Sequence, residues 1–238
     1  MGAGGFAMSV LIWFTDPSNW SGPSGIPTRL LEQFVITAVA VLAAAAIALP
    51  AGIVTGHLGK GSAVVTSVAN LGRAIPTFAL LLLLAAAGGV GVSAAIIALA
   101  IFAIPPMLTN ANIAISGVDP QARMAGRAVG FTGRQLFWQV ELPLALPLIF
   151  AGIRTASVQV IATATLAAFV GGGGLGRFIL DGFALQDTTM VLAGVLLVAL
   201  VTMSMEGLLA LVQAGISHRL GRVPGRLTSS FLRVFRTS

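Results

Sequence analysis

The 238-residue chain has no cysteine and no tyrosine, and only one lysine among its thirteen basic residues. Without cysteine there can be no disulfide framework, thiolate metal site or thiol nucleophile. Charge is also scarce, at 8% of residues, against about 25% in an ordinary soluble domain. Seven acidic and thirteen basic side chains cannot cover a soluble surface of this size, which excludes a soluble enzyme. What remains is apolar: 57% of the residues are hydrophobic and the mean hydropathy is +0.99.

Uncharged intervals set where helices can cross a bilayer, because a span needs about 20 apolar residues. No formal charge falls between Glu32 and Lys60, Arg73 and Asp119, Arg154 and Arg177, or Asp187 and Glu206. The second interval has room for two helices, with Gly88, Gly89 and Gly91 as the turn between them. The spacing predicts five transmembrane helices, at about 33–56, 66–87, 93–117, 145–170 and 189–216. Nothing in the chain alternates like a membrane barrel. The fold class is therefore all-α, a polytopic membrane protein.

Residues 1–32 read as an N-terminal segment outside the membrane domain 33–216. The apolar run Phe6–Phe14 is too short to cross, and no basic stretch precedes it as in a signal peptide. Asp16 to Pro27 is rich in turn residues, and Trp13 and Trp20 suit a membrane interface. Nine of the thirteen basic residues fall in 57–65, 118–144 and 217–238, whereas 1–32, 88–92 and 171–188 hold only Arg29 and Arg177. The positive-inside rule then predicts an external N-terminus and a cytoplasmic C-terminus. The basic tail 217–238, which includes Arg222, Arg226, Arg233 and Arg236, reads as a topology and lipid-headgroup feature, and no nucleic-acid partner is expected.

Catalytic patterns are missing. The two histidines, His57 and His218, stand at predicted helix ends, where capping fits better than catalysis, and no HExxH or GxSxG pattern occurs. Gly56-His57-Leu58-Gly59-Lys60-Gly61-Ser62 fails as a phosphate-binding loop, since Gly follows Lys60 and Val54 replaces the first Gly. No metal or cofactor is expected on this chain. The connection 119–143 carries more information. Asp119 can cap a helix starting at Pro120, and Gly130 can end it in a left-handed turn. Thr132-Gly133-Arg134-Gln135 is a capping box for a second short helix, which Pro143 is expected to end. Such a hairpin, with Phe131, Phe137 and Trp138 on one side, could dock into a partner's groove or lie flat on the bilayer.

Met124-Ala125-Gly126-Arg127-Ala128-Val129-Gly130, then nine residues, then Val140-Glu141-Leu142-Pro143, resembles the EAA loop of ATP-binding cassette (ABC) importer permeases. Ala125, Gly130, Leu142 and Pro143 match that pattern, Val140 is conservative, and Met124 and Gly126 depart from its Glu and second Ala. The resemblance implies a coupling loop for a cytoplasmic ABC ATPase subunit, carried by Met124, Ala125, Gly126, Gly130, Phe131, Thr132, Leu142 and Pro143. ATP would then bind the partner.

Asn19-Trp20-Ser21-Gly22-Pro23, Gly25 to Glu32, Ala74-Ile75-Pro76-Thr77-Phe78 and Thr163 to Gly176 are similar to glycine betaine/carnitine/choline permeases. This implies a type I importer permease fold of the methionine-permease kind in a bacterial plasma membrane. It also implies a second permease copy or paralogue, an external substrate-binding protein, and a quaternary-amine osmoprotectant such as glycine betaine, carnitine, choline or proline betaine. A methionine or other amino-acid permease, and a non-transporting membrane assembly protein, are the rival readings.

Pathway and gate candidates are the polar or helix-breaking residues of the spans: Pro76, Pro105, Asn110, Thr163, Thr165, Phe169, Gly172 and Gly173. Broken helices expose carbonyls that need a protein or water-filled neighbour, although helix–helix hydrogen bonding would explain the polar members equally well. Pro105-Pro106 is expected to interrupt its span as Pro76 does. Glu206 reads as a packing residue and Arg154 as one reaching toward headgroups. Gly52-Ile53-Val54-Thr55-Gly56 hints at close helix packing.

Overall fold

In the computed structural model, residues 3–219 are described; Arg222, Arg226, Arg233 and Arg236 of the basic segment lie outside the described residues. The described chain is helical, with no strand. Its elements are α1 (Ala3–Thr15), α2 (Ile26–Leu58), α3 (Ser62–Ala74), α4 (Thr77–Gly88) and α5 (Val92–Ser116). They are followed by α6 (Pro120–Ala128), α7 (Gly133–Leu136), α8 (Leu142–Thr163), α9 (Gly176–Ala184) and α10 (Thr188–Arg219). Four helices are long and apolar enough to cross a membrane, and the bent pair α3–α4 makes a fifth span if counted as one. The protein is a multi-pass membrane protein.

Close approach of α2 and α5 organises the bundle. Ala40, Ala44, Ala48, Gly52 and Gly56 recur every fourth residue on one buried face of α2. A Cβ on Gly52 would lie 2.6 Å from the Leu108 carbonyl oxygen, and one on Gly56 2.7 Å from that of Asn112. Small residues let two backbones meet this closely, and in lipid such packing replaces the hydrophobic drive of water. Asn112 adds a hydrogen bond from Nδ2 to Thr55 Oγ1 at 2.9 Å. On its other side α5 meets α8, where a Cβ on Gly152 would fall 2.6 Å from Asn110 Cβ.

Three boundaries differ from the sequence expectation. First, α2 begins at Ile26, seven residues or so before the charge gap, capped by Gly25 with Pro27 in its first turn. Arg29 and Glu32 do not stop it because they pair with each other at 2.9 Å. Second, the short helix α7 does not end at Pro143. It runs through one wide π turn, Phe137–Glu141, into α8, and the Leu142 N–H reaches back to the Phe137 carbonyl. A π turn widens the helix where the proline ring would otherwise press on the carbonyl four residues earlier. Third, α8 tightens after Thr163 into a 3₁₀ segment, Ala164–Val170.

The prolines also divide. Pro76 caps α4 at a break where the α3–α4 pair bends by 82°. Pro105 and Pro106, against expectation, lie inside an uninterrupted α5 and are buried. A neighbour makes room for one of them: the Pro105 ring fills the hollow at Gly72. The N-terminal segment forms α1, roughly 20 Å long at 1.5 Å per residue and so too short to span. Trp13 packs edge-on against Phe178, 5.4 Å between ring centres, which seats α1 beside α9 and α10.

Candidate functional site

The hairpin α6–α7 is built by local chemistry at each corner. Asp119 accepts from the Gln121 N–H at 2.8 Å, capping α6 with Pro120 in the first turn. The helix ends in a pair of reverse bonds, Phe131 N–H to the Gly126 carbonyl and Gly130 N–H to the Arg127 carbonyl, at 3.1 and 3.0 Å. That Schellman turn requires a left-handed residue, and Gly130 supplies it with φ +87°. Thr132 and Gln135 then close the capping box that opens α7.

Gly126 sits buried where α6 crosses α7: a Cβ there would meet Leu136 Cδ1 at 2.8 Å, with Phe131 and Val140 beyond. Phe131 and Phe137 turn inward and are half-buried, as are Leu142 and Pro143. Trp138 does not join them. It is 57% exposed, because neighbouring residues on a helix point about 100° apart. Met124, Ala125 and Ala128 are exposed on α6 and Val129 at its C-terminal cap, beside the exposed Gln121 and Arg127. Gly130 has open space around it, so Gly130→Val should act through backbone strain alone. On the coupling role that the EAA-loop resemblance implies, the expected result is normal membrane insertion with ATPase association and uptake lowered together, by roughly tenfold for about 1–2 kcal/mol of turn strain. Copurification and uptake assays check this.

Beneath the hairpin lies a buried carboxylate that the sequence reading missed. Glu141 is 3% exposed, with His57 Nδ1 2.5 Å from Oε2 and Arg123 Nε 3.2 Å from Oε1. The His57 tautomer with its hydrogen on Nδ1 is the one that donates to an ionised carboxylate here. Arg123 also donates from Nη2 to the Ile115 carbonyl at the end of α5, at 2.6 Å. The group therefore ties α2, α5, α6 and the start of α8. His57 stands at a helix end as expected, but its partner is 84 residues away and no local pattern announces it.

At the opposite end of the bundle, the glycine run is held by two side chains of α2. Glu32 Oε2 accepts from the Gly174 N–H at 2.7 Å, and Gln33 Oε1 from the Leu175 N–H at 3.2 Å. Gln33 is buried and its Nε2 donates to the Ile161 carbonyl at 2.6 Å. Gly173 and Gly174 take φ of +81° and +79°, and a Cβ on either would fall 2.5 Å from the Glu32 or Gln33 oxygen. Gly172 is buried against Ala167. Neither Glu32 nor Gln33 was singled out from sequence; the only sign was a charge and an amide at the head of an apolar run.

The structure separates the remaining candidates. Phe169 and Phe78 meet edge-on at 5.4 Å, both partly exposed, which brings the 3₁₀ segment to the start of α4 beside Pro76. Thr163 and Thr165 spend their hydroxyls on the carbonyls of Gln159 and Ala162 in their own helix. Pro105 and Asn110 belong to helix packing against Gly72 and Gly152. Arg154 is paired with Glu206 of α10 and donates to Gln213 Oε1 at 2.9 Å.

The model of the binding-protein-dependent transport system inner membrane component matches residues 48–218. The chain belongs to that family. A carnitine transport permease of Listeria monocytogenes (OpuCB) is 37% identical over 205 residues, covering 86% of this chain and 89% of its own. The glycine betaine/carnitine/choline permease OpuCB of Bacillus subtilis is 33% identical over 79% of this chain and 87% of its own. The osmoprotectant import permease OsmW of Salmonella typhimurium is 36% identical over 79% and 90%. Among solved structures, the inward-facing MetNI methionine ABC transporter matches with a TM-score of 0.70 at 21% identity, over 85% of this chain and 99% of the matched one. At that identity the likeness establishes the fold, a type I ABC importer permease.

Proposed function

We propose that this permease forms the translocation pathway of an ATP-driven importer for a quaternary-amine osmoprotectant of the glycine betaine, carnitine or choline type. The hairpin carries the reading. Its Schellman turn and capping box hold α6, with Met124, Ala125 and Ala128 exposed beside Gln121 and Arg127, as a surface that must enter a partner would be. That partner is a cytoplasmic ABC ATPase, which binds and hydrolyses the ATP. A second permease copy or paralogue completes the pathway, and an external binding protein delivers the solute. The hairpin end and the C-terminus face the cytoplasm, in keeping with the basic residues gathered there. Relatives of 33–37% identity named for osmoprotectants favour this substrate class over methionine.

Selection of the solute lies outside this subunit. Quaternary ammonium ions carry charge without N–H donors, and aromatic cages with cation–π contacts are the usual selective device. The chain has no Tyr, and its three Trp lie in the N-terminal segment and the hairpin. Phe78 and Phe169 form an aromatic pair near the glycine run, and their rings are already turned edge to face on each other. Reconstitution with the ATPase and receptor, using labelled glycine betaine, carnitine, choline and methionine, tests the function. Exchanging the receptor for a docking-competent one of different preference should change the imported solute with this chain unaltered. Retention of the original preference, or a switch caused by Phe169→Ala, would place selectivity here instead.

A further inference from the structure

We propose that Glu141, clasped by His57 and Arg123, is the positioning residue that passes movement of the hairpin to the spans. This rests on the coupling role given to α6 above. A surface helix of nine residues can transmit force only through what fastens it to the bundle. Its packing contact at Gly126 is with Leu136, Phe131 and Val140, residues of the hairpin and of the π turn itself. Arg123 is the α6 side chain that reaches past the hairpin. Its Nη2 holds the last turn of α5, and its Nε faces the Glu141 carboxylate at 3.2 Å, as an ion pair by distance rather than as a directed hydrogen bond.

Glu141 occupies the π turn at the root of α8, and its other oxygen holds His57 on the last turn of α2. Two spans, α2 and α8, therefore meet the hairpin at one carboxylate, and the third, α5, is held by the same Arg123. The meeting point is stiff. Glu141 is 3% exposed, and the Phe137 ring packs edge-on against His57 at 5.3 Å between centres. A buried carboxylate with two cationic or N–H partners is costly to open, because releasing either partner leaves a desolvated charge. Displacement of α6 is therefore carried into α2, α5 and α8 together rather than absorbed locally.

The test is the number of ATP molecules hydrolysed per solute imported by the reconstituted transporter, with labelled glycine betaine and choline as probes. Glu141→Gln keeps the shape but removes the charge and turns an amide N–H toward one of two partners that are both donors. The expected result is intact assembly with the ATPase and a rise in that ratio of at least about fivefold, the lower edge of typical coupling between sites. A ratio equal to that of the unmodified protein, with uptake and hydrolysis falling in proportion or not at all, overturns the proposal. Should Glu141→Gln fail to insert, His57→Leu against His57→Gln decides. The amide of Gln can still donate to Glu141, so the ratio should rise with Leu and stay low with Gln; equal ratios reject the latch. If the unmodified complex imports no probe, the importer reading itself fails, before any variant is compared.

Discussion

Replacing Gly176 with alanine should remove most of the folded, transport-competent protein. Gly176 opens α9, and a Cβ there would lie 1.9 Å from the carbonyl oxygen of Thr165 and 2.7 Å from its carbon. Both are backbone atoms and cannot swing away as a side-chain end can. Overpacking typically costs roughly 1–3 kcal/mol, and a collision with backbone belongs at or above the top of that range. Relief requires α9 to move off the 3₁₀ segment Ala164–Val170, which carries Phe169 and leads into the glycine run held by Glu32 and Gln33. Uptake should therefore fall with thermal stability in detergent. Gly207 and Gly215 of α10 are the controls: a Cβ at either meets nothing within 4 Å. Alanine there should leave stability unchanged or slightly raised, since glycine is the weaker helix former. A Gly176→Ala protein melting with these controls would show that the segment yields without cost.

Which parts of this arrangement could be read from the sequence follows from the range of the forces involved. Span positions were legible because lipid leaves a polypeptide no choice but helix, so charge gaps alone locate the crossings. The hairpin was legible for a different reason: Asp119, Gly130 and Thr132–Gln135 act within a few residues of themselves. Boundaries failed where a distant partner intervened. Arg29 and Glu32 looked like the edge of a span, yet their mutual pairing and the Gly174 N–H carry them inside α2.

Prolines make the same point in reverse. Pro76 and Pro105 give one local signal and two outcomes, a sharp break and an unbroken helix. Gly72, which makes room for the Pro105 ring, lies outside any local window around Pro105. Long-range polar pairs were the least visible. Glu141 with His57 and Glu32 with Gly174 span 84 and 142 residues, and each member alone resembles an ordinary helix-end group.

A charge pair inside the membrane gives the second large expectation. Removing Glu206 alone should harm the protein more than removing Arg154 and Glu206 together. Ionisable groups within spans are expensive, and a carboxylate opposite a guanidinium relieves both. Arg154 Nε donates to Glu206 at 3.1 Å, a second guanidinium nitrogen meets the other carboxylate oxygen, and Gln213 completes the cluster from the same helix as Glu206. This joins α8 to α10 across 52 residues of sequence. Glu206→Ala leaves the guanidinium with Gln213 as its remaining partner, a charge in lipid without its counter-ion. The double variant Arg154→Leu/Glu206→Leu leaves no charge and replaces the pair with side chains at home in a bilayer, an exchange that is often neutral or favourable. The expected order of melting temperature in detergent or nanodiscs is therefore unmodified protein, then the double variant close behind, then Glu206→Ala several degrees lower. Coupling of that sign between contacting residues is what a double-mutant cycle isolates. Equal or additive losses would mean that the two charges are each satisfied by water or by a second subunit, and that the pair does not hold α8 and α10 together.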